Sequence, residues 1–450
     1  MRSLPLLLLL GLAVGAGREG RAALPAGSNA AAAVAPAPVR SSPTDFVSRI
    51  EGTSGVMMGI DVVEAGNFVI LRGKRIGLLT HGAGVDRHGV SAVDVLRRAP
   101  GVKLVALYSA EHGLYGELPL EHGDATGVDP RSGIMVHPLY LGKPLKPTKA
   151  QLQGIDALVI DLQDIGVRSY TFATSMKLAM AGCFENNIEV IVLDRPNPLG
   201  GLKVDGPVLD ATLPYTGVAP FREPYVHGLT IGELAELAAK TPGVLPISEE
   251  ARQHGRLQVI RMVGWKRTMR WPETGLTWVP TSPAIQNFAA VEGYAMTGLG
   301  CILGNFRHGV GNQYIFRGIS NAEVKPDVLE KELRALPIEG VQFRRVSVPN
   351  AATGKPATGL YIEIIDWDAW RPTELSFYLM RLACKLESRN PFAFASKGKV
   401  TDFLQYMGSV AFFRDLVARG ARTDVEAYLR QWQTDDRLFQ EQSTRFWLYH

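Results

Sequence analysis

The chain has 450 residues, 46% hydrophobic and 20% charged, with a formal net charge of +4. That length exceeds what one ordinary core holds, so two domains are expected. Its basic and acidic residues are mixed along the chain rather than blocked, which excludes a nucleic-acid footprint and leaves a mildly basic surface that suits an anionic polymer.

The N-terminal MRSLPLLLLLGLAVGAG has one early Arg, an apolar run and then small residues, the layout of an export signal. The apolar run is shorter than the about 20 residues that span a bilayer. Val14-Gly15-Ala16 supplies a small-x-small cleavage site, a second lies near Ala23, and no Cys lies nearby to carry a lipid. The following AALPAGSNAAAAVAPAPVRSSP is rich in Ala, Pro and Ser and reads as a disordered linker. The expectation is a signal peptide over 1–23, a linker over 24–45 and folded chain from Phe46. The product is exported, periplasmic or extracellular, with no stable membrane insertion after cleavage. Cys183, Cys301 and Cys384 are far apart and cannot all pair; buried free thiols are expected.

From Lys74 the pattern becomes regular. RIGLLT, VKLVALYSA, ALVIDL and EVIVLDRP are short runs, apolar on both faces, as strands covered on both sides are. SAVDVLRRA, the KPTKAQLQG region and SMKLAMAGCFENN read as helices between them. TIGELAELAAK is a further amphipathic helix ahead of a fifth apolar run, LQVIRM. Strand and helix in alternation predict a mostly parallel α/β sheet. In the last third, VQFRRVSV and LYIEIIDW read as strands of a second sheet, TELSFYLMRLACKL as its helix, and 401–435 as helical pieces. A boundary falls near 286, giving a catalytic domain over 46–285 and a smaller auxiliary C-terminal α/β (α+β) domain over 286–450.

In such sheets ligands bind beyond the carboxyl ends of the strands. Four successive ends carry polar loops: Thr80-His81-Gly82, Ser109-Ala110-Glu111-His112-Gly113, Asp161-Leu162-Gln163-Asp164 and Asp194-Arg195-Pro196-Asn197-Pro198. A carboxyl in a partly desolvated cleft can serve as acid or base, which makes Glu111 a candidate; its plainer reading is a loop or cap residue. His112 fits an orienting hydrogen-bond partner. Gln163 and Tyr170 are sugar-contacting types, an amide for hydroxyls and a ring for stacking. Asp164 and Arg168 are equally readable as a structural ion pair. Asp194 and Asn197 sit on a proline-stiffened loop, and His227 precedes a helix. There is no G-x-S-x-G, H-E-x-x-H, P-loop or strand-following G-x-G-x-x-G, and no histidine pair has a metal-ligand spacing. Neither cofactor nor metal is expected.

GID (59–61), GKRIGLLTHGAGVD, YSAEHGLYG, DALVIDLQDIGVRSYTF, VIVLDRPNPLGG, GPVLD, VHGLTIGELA and TGLTWVPTSPAIQ together resemble the NamZ-type exo-β-N-acetylmuramidases, glycoside hydrolase family 171. The likeness covers roughly 57–290 and fades beyond. It implies a Rossmann-like domain plus a smaller α/β domain, with the site between them. It also implies release of terminal N-acetylmuramic acid from peptidoglycan fragments or muropeptides. Glu111 matches the family's S-x-E-H-G glutamate, the candidate acid/base, with His112 and Asp161 in the same catalytic set. Gln163, Asp164, Arg168 and Tyr170 match D-x-Q-D-x-G-x-R-x-Y, and Asp194, Arg195, Asn197 and His227 match further positions expected to bind substrate. An arginine suits the lactyl carboxylate of muramic acid, which it can grip with two parallel hydrogen bonds.

One loop departs from the family. Where relatives read E-G-T-N-x-S-E-G-R-G-T, this chain reads LGNFRHGVGNQ over 303–313, with Leu303 for a glutamate and His308 and Val310 about where Glu and Arg would stand. Gly304, Gly309 and Gly311 are kept. Glycoside cleavage commonly uses two carboxyl groups. The partner of Glu111 is left open among Asp161, Asp164, Asp194 and the substrate's own acetamido group. Two rival readings follow: a peptidoglycan-binding protein altered in its chemistry, and a related hydrolase for a different amino sugar.

Overall fold

The computed structural model describes residues 55–119, 122–349, 354 and 356–450. The expected signal, the linker and Phe46 lie outside the described residues. Strands β1 (Arg75–Thr80), β2 (Lys103–Ser109), β3 (Gly127–Val128), β4 (Met135–Pro138), β5 (Ala157–Asp161), β6 (Glu189–Leu193) and β7 (Leu257–Ile260) form one sheet in the order β3-β4-β2-β1-β5-β6-β7. Every neighbouring pair is parallel except β3 on β4. The chain runs from central β1 outward to β2 and β4, then returns to the other flank of β1 as β5. That reversal opens a crevice at the carboxyl ends of β1 and β5, where sheets of this kind bind ligands. All five residues of β5 are buried, as its unbroken apolar run requires.

Helices α1 (Gly59–Ala65), α2 (Ala92–Arg97), α3 (Thr171–Glu185), α4 (Ile231–Lys240) and α5 (Glu249–His254) accompany this sheet. The GID motif opens α1 against β6. The Gly59 N–H donates to the Asp194 carbonyl at 2.8 Å, and a Cβ there would lie 2.5 Å from the Asp194 nitrogen. Only glycine permits that approach. Helix α4 starts from a reciprocal cap, with the Glu233 N–H on Thr230 Oγ1 at 3.2 Å and the Thr230 N–H on Glu233 Oε2 at 3.0 Å. The five expected parallel strands are present. The KPTKAQLQG region is not the expected helix but a run of turns over 149–154. Pro147 before it and Gly154 in the left-handed region at its end leave too little chain for a helix, and the Gln151 side chain caps the Thr148 N–H at 2.9 Å.

The smaller sheet is antiparallel, ordered β10-β11-β9-β8, from β8 (Phe306–Arg307), β9 (Gly318–Asn321), β10 (Val341–Val348) and β11 (Ala357–Ile364). With it pack α6 (Phe288–Thr297), α7 (Pro326–Arg334), α8 (Glu374–Leu386), α9 (Lys397–Met407), α10 (Val410–Arg419) and α11 (Val425–Ser443). One apolar cluster runs from Leu79 through α3 and α6 to Trp432 and Phe446, so both sheets share a core. Cys183 and Cys301 are buried free thiols; Cys384 is also free but only half-buried.

The C-terminus is tied back to the main sheet. The Tyr449 hydroxyl donates to Asp194 Oδ2 at 2.6 Å and accepts from the Met262 N–H at 2.9 Å. A hydrogen bond to a charged group contributes about 1.5–3 kcal/mol. Tyr449→Phe is therefore expected to lower unfolding free energy by about that amount in a urea titration; an unchanged midpoint would show that the tail does not brace the sheet.

Candidate active site

Three strand tips are laced together by one guanidinium. Arg195, just beyond β6, donates from Nε to Asp161 Oδ1 at 2.6 Å and from Nη2 to Asp161 Oδ2 at 2.8 Å. Its Nη2 also reaches the Val85 carbonyl, in the loop after β1, at 2.7 Å. Both side chains are inaccessible to solvent, at 2% and 0% exposure. The Gln163 N–H donates to His81 Nε2 at 3.0 Å, and Gln163 Nε2 donates to the Pro196 carbonyl at 2.9 Å. The tip of β5 is thereby bonded to both its neighbours.

Glu111 leaves β2 through a sharply turned backbone. His112 has φ +68° and Gly113 φ +79°, a left-handed pair of a kind uncommon outside glycine, though histidine is among the residues that adopt it most readily. The His112 N–H donates to the His122 carbonyl at 3.0 Å, and its Nδ1 lies 3.0 Å from the Leu118 carbonyl. The imidazole holds the loop. Glu111 is turned inward at 8% exposure, and its Oε2 accepts from Thr171 Oγ1 at 2.7 Å. Thr171 is the first residue of α3, whose N-terminal partial charge attracts a carboxylate.

Tyr170 and Tyr294 meet edge to face, 6.3 Å between centroids. Burial first, and then the Asp164 and Glu111 carboxylates, raise the pKa of Tyr170; burial, Glu111 and Asp164 raise that of Tyr294. Both rings thus lie in the field of both carboxylates. The Tyr170 hydroxyl donates to Thr281 Oγ1 at 2.7 Å, and the Tyr294 hydroxyl lies 3.1 Å from Ser169 Oγ.

Asp164 is aimed from one side only. Its Oδ2 accepts from the Gly166 N–H at 2.7 Å and lies 3.6 Å from His227 Nε2. His227 Nδ1 accepts from the Leu229 N–H at 3.1 Å, so the proton of the neutral ring sits on Nε2, facing Asp164. Burial lowers the His227 pKa, but the Glu223 and Asp164 charges outweigh it and the net shift is upward. Asp164 Oδ1, Gln163 Oε1 and His81 Nδ1 are buried without a hydrogen-bond partner. Burial, and then the Arg195 charge, hold His81 well below the usual histidine range. With Nε2 accepting, its neutral ring carries a proton on Nδ1. Two acceptors and one donor at adjoining strand tips are thus left unmatched within the protein.

The other expected residues form the frame. Asp194 accepts from Thr230 Oγ1, the Gly232 N–H and the Tyr449 hydroxyl, while burial pushes its pKa up to about 7. Asn197 bonds the Leu229 carbonyl and the Leu199 N–H. Arg168 does not pair with Asp164. It donates to the carbonyls of Pro207 (2.8 Å), Glu223 (2.7 Å) and Tyr406 (3.1 Å). Arg195 is occupied by Asp161, the Val85 carbonyl and the Met58 sulfur, and both Nη atoms of Arg168 by carbonyls with its Nε buried and unpartnered, so neither presents the open fork that a lactyl carboxylate needs. In the departing loop, Leu303 and Val310 are buried in the core, and the Asn305 N–H donates to Glu387 Oε1 at 2.8 Å. The His308 ring stacks on Phe316 at 4.2 Å, and Phe316 meets Tyr294 at 4.9 Å. The loop therefore reaches Tyr294 through rings and brings no carboxylate of its own. His81, Thr171, Thr281 and Tyr294 were absent from the expected set. His81 was visible as a strand-end histidine, whereas the others are recognisable only once the chain is folded.

Two family profiles cover the chain: Exo-beta-N-acetylmuramidase NamZ, N-terminal, over residues 76–289, and Exo-beta-N-acetylmuramidase NamZ, C-terminal, over 293–449. The chain belongs to the NamZ family. The peptidoglycan beta-N-acetylmuramidase NamZ of Bacillus subtilis (strain 168) is 33% identical over 401 residues, 88% of this chain and 91% of its own. The crystal structure of a DUF1343 family protein from Bacteroides fragilis NCTC 9343 gives a TM-score of 0.77 at 35% identity, covering 88% of this chain and all of that one. A second from the same organism gives 0.65 at 24% identity, over 88% and 99%, and shares the fold. NamZ membership extends through 449, past the point near 290 where the motif likeness fades.

Removing one partner of a buried ion pair costs about 3–5 kcal/mol. Arg195→Met is accordingly expected to lower unfolding free energy by about that much in urea. A variant of unchanged stability but raised KM would instead make Arg195 a substrate-gripping arm.

Proposed function

We propose that this NamZ-family glycoside hydrolase is an exported exo-β-N-acetylmuramidase that releases terminal N-acetylmuramic acid from peptidoglycan fragments, with Glu111 as its acid/base. The observation that carries the reading is the inward-turned Glu111 carboxyl, bonded to Thr171 at the start of α3. A carboxyl so placed can protonate the glycosidic oxygen as the bond to the sugar breaks, and can then take a proton from the attacking water. Of Asp161, Asp164 and Asp194, Asp164 is the one with a buried oxygen lacking any partner, so it is the second carboxyl of the hollow. His227 and the Gly166 N–H hold its other oxygen. Gln163 and His81 receive sugar hydroxyls. Tyr170 and Tyr294 wall the hollow, and His112 keeps the Glu111 turn in shape.

The 303–313 loop, which carries Arg307 but no carboxylate and has the buried Val310 about where the family has Arg, supports a second reading, in which the same machinery cleaves an amino sugar that lacks the lactyl carboxylate. Chromogenic N-acetylmuramide and N-acetylglucosaminide separate the two. Release from the muramide alone is expected, and release from the glucosaminide alone would replace the substrate. Binding of muropeptides without turnover of either would leave a binding protein.

Glu111→Gln is expected to lower kcat by about 10²–10⁴-fold, the usual weight of a general acid/base, while leaving the thermal midpoint in place; retained activity would remove Glu111 from the role. Export rests on the N-terminal apolar run. Fractionation of cells expressing the full chain is expected to recover a shortened protein outside the cytoplasm. A full-length cytoplasmic product would overturn that assignment.

A further inference from the structure

One face of the smaller sheet is packed on α7. There Phe343, Leu360 and Ile362 are buried, and Arg345 Nε donates to Glu330 Oε2 at 2.8 Å. Side chains along a strand alternate between faces. The pairings Arg344 with Tyr361, Tyr361 with Gly318 and Ser320 with Arg307 therefore set Arg344, Tyr361 and Arg307 together on the opposite face. Val310 lies over its middle, since a Cβ on Gly359 would fall 2.7 Å from Val310 Cγ2. Beyond Val310, Arg307 and Arg344 are exposed and Tyr361 is half-buried.

Tyr314 completes a shelf on this face. Its ring is 40% exposed and meets Tyr361 edge to face, 5.3 Å between centroids. The Arg344 guanidinium lies 5.4 Å from the Tyr361 centroid. Tyr314 holds its ring out from left-handed backbone, φ +54°, a conformation that a bulky residue keeps only under constraint and that gathers at ligand clamps. The charges on the shelf do not balance. Arg317, which also approaches the Tyr361 ring, is answered by Glu292, and Glu363 accepts from Gln342 Nε2 at 2.8 Å. Neither Arg344 nor Arg307 is paired with a carboxylate among the described residues, so the face is positive.

The shelf is continuous with the hollow. Two residues past Tyr314 the chain turns inward at Phe316, φ +62°, whose ring stacks on His308 and meets Tyr294 at 4.9 Å. Tyr294 in turn meets Tyr170 across the wall of the hollow. One constrained stretch thus offers a ring to solvent at Tyr314 and a ring to the wall of the hollow at Phe316.

We propose that Tyr314 and Arg344 form an outer subsite for the part of the peptidoglycan strand that follows its terminal muramic acid. The Tyr314 ring takes the apolar face of the neutral N-acetylated sugar, and the Arg344 guanidinium takes the lactyl carboxylate of the next muramic unit. An exposed ring beside an unpaired cation complements a polymer in which a neutral sugar alternates with one that bears a carboxylate. The proposal rests on the peptidoglycan-hydrolase reading for the identity of that strand.

The test titrates the full chain carrying Glu111→Gln calorimetrically with two ligands. One is N-acetylmuramic acid alone; the other is a peptide-free tetrasaccharide of alternating N-acetylmuramic acid and N-acetylglucosamine, with the muramic unit at its non-reducing end. The tetrasaccharide is expected to bind more tightly than the single sugar. Adding Tyr314→Gly is expected to weaken it about three- to tenfold, and Arg344→Ala about two- to fivefold. Added salt is expected to weaken the tetrasaccharide less in the Arg344→Ala chain, because one screened contact is gone. Both variants are expected to fold, since glycine suits the left-handed backbone at 314 and Arg344 is exposed without an ion-pair partner. A tetrasaccharide that binds no better than the single sugar, or an affinity indifferent to either substitution, overturns the subsite. Turnover of the chromogenic muramide by the unaltered chain is read separately. Binding that depends on Tyr314 and Arg344 without turnover sinks only the catalytic reading, and turnover without such dependence sinks only the subsite.

Discussion

The Asp161–Arg195 pair is the constraint on which the rest of the site depends. Removing two charges from water costs several kcal/mol per ion, recovered only when geometry is close and the remaining donors are satisfied. Here the contact is two-pronged, at 2.6 and 2.8 Å, and a spare donor reaches the Val85 carbonyl. One guanidinium thereby sets the distance between the ends of β1, β5 and β6. Gln163, two residues beyond Asp161, repeats the lacing with His81 and Pro196. A sheet held this firmly at its carboxyl edge can leave a few polar atoms unmatched without the loops collapsing onto them.

Asp194, Asn197, Arg195 and Asp161 bond the chain's own groups, whereas Asp164, Gln163, His81 and Arg168 each keep one buried atom open. Glu111 stands apart from both groups, turned inward and held by Thr171 at the start of α3. The smaller sheet takes part through contact rather than charge. His308, Phe316, Tyr294, Tyr170, Phe172 and His81 form an unbroken succession of ring contacts from the departing loop to the tip of β1. Tyr314 and Phe316 hold left-handed backbone at φ +54° and +62°, a strained loop that aromatic packing on α6 stabilises.

Much of the fold was legible in local pattern. Five apolar runs became five parallel strands, because a strand covered on both faces writes hydrophobicity at every position. β4 was not legible: a four-residue strand containing His137 and Pro138 carries too little pattern. The KPTKAQLQG region failed the other way, since its composition suits a helix but its bounding Pro147 and Gly154 close the segment into turns. At the site, the strand-end rule located Glu111, Gln163, Asp164 and the neighbourhood of His81. It could not sort them, because an aspartate that grips an arginine and one that keeps an oxygen unmatched look alike in one dimension.

The sequence by itself determined the five long parallel strands and the edge at which polar residues gather, for these follow from periodicity and from the handed connection of strand to helix. Tertiary structure alone decided which polar groups are consumed. Arg168 lost its role as an ion-pair partner when carbonyls from three distant segments closed around it, and Thr171 and Tyr294 entered the site because folding set them beside Glu111 and Tyr170. Hydrogen-bond capacity is filled by whichever neighbours folding supplies, and neighbours far apart in the chain leave no mark on local sequence.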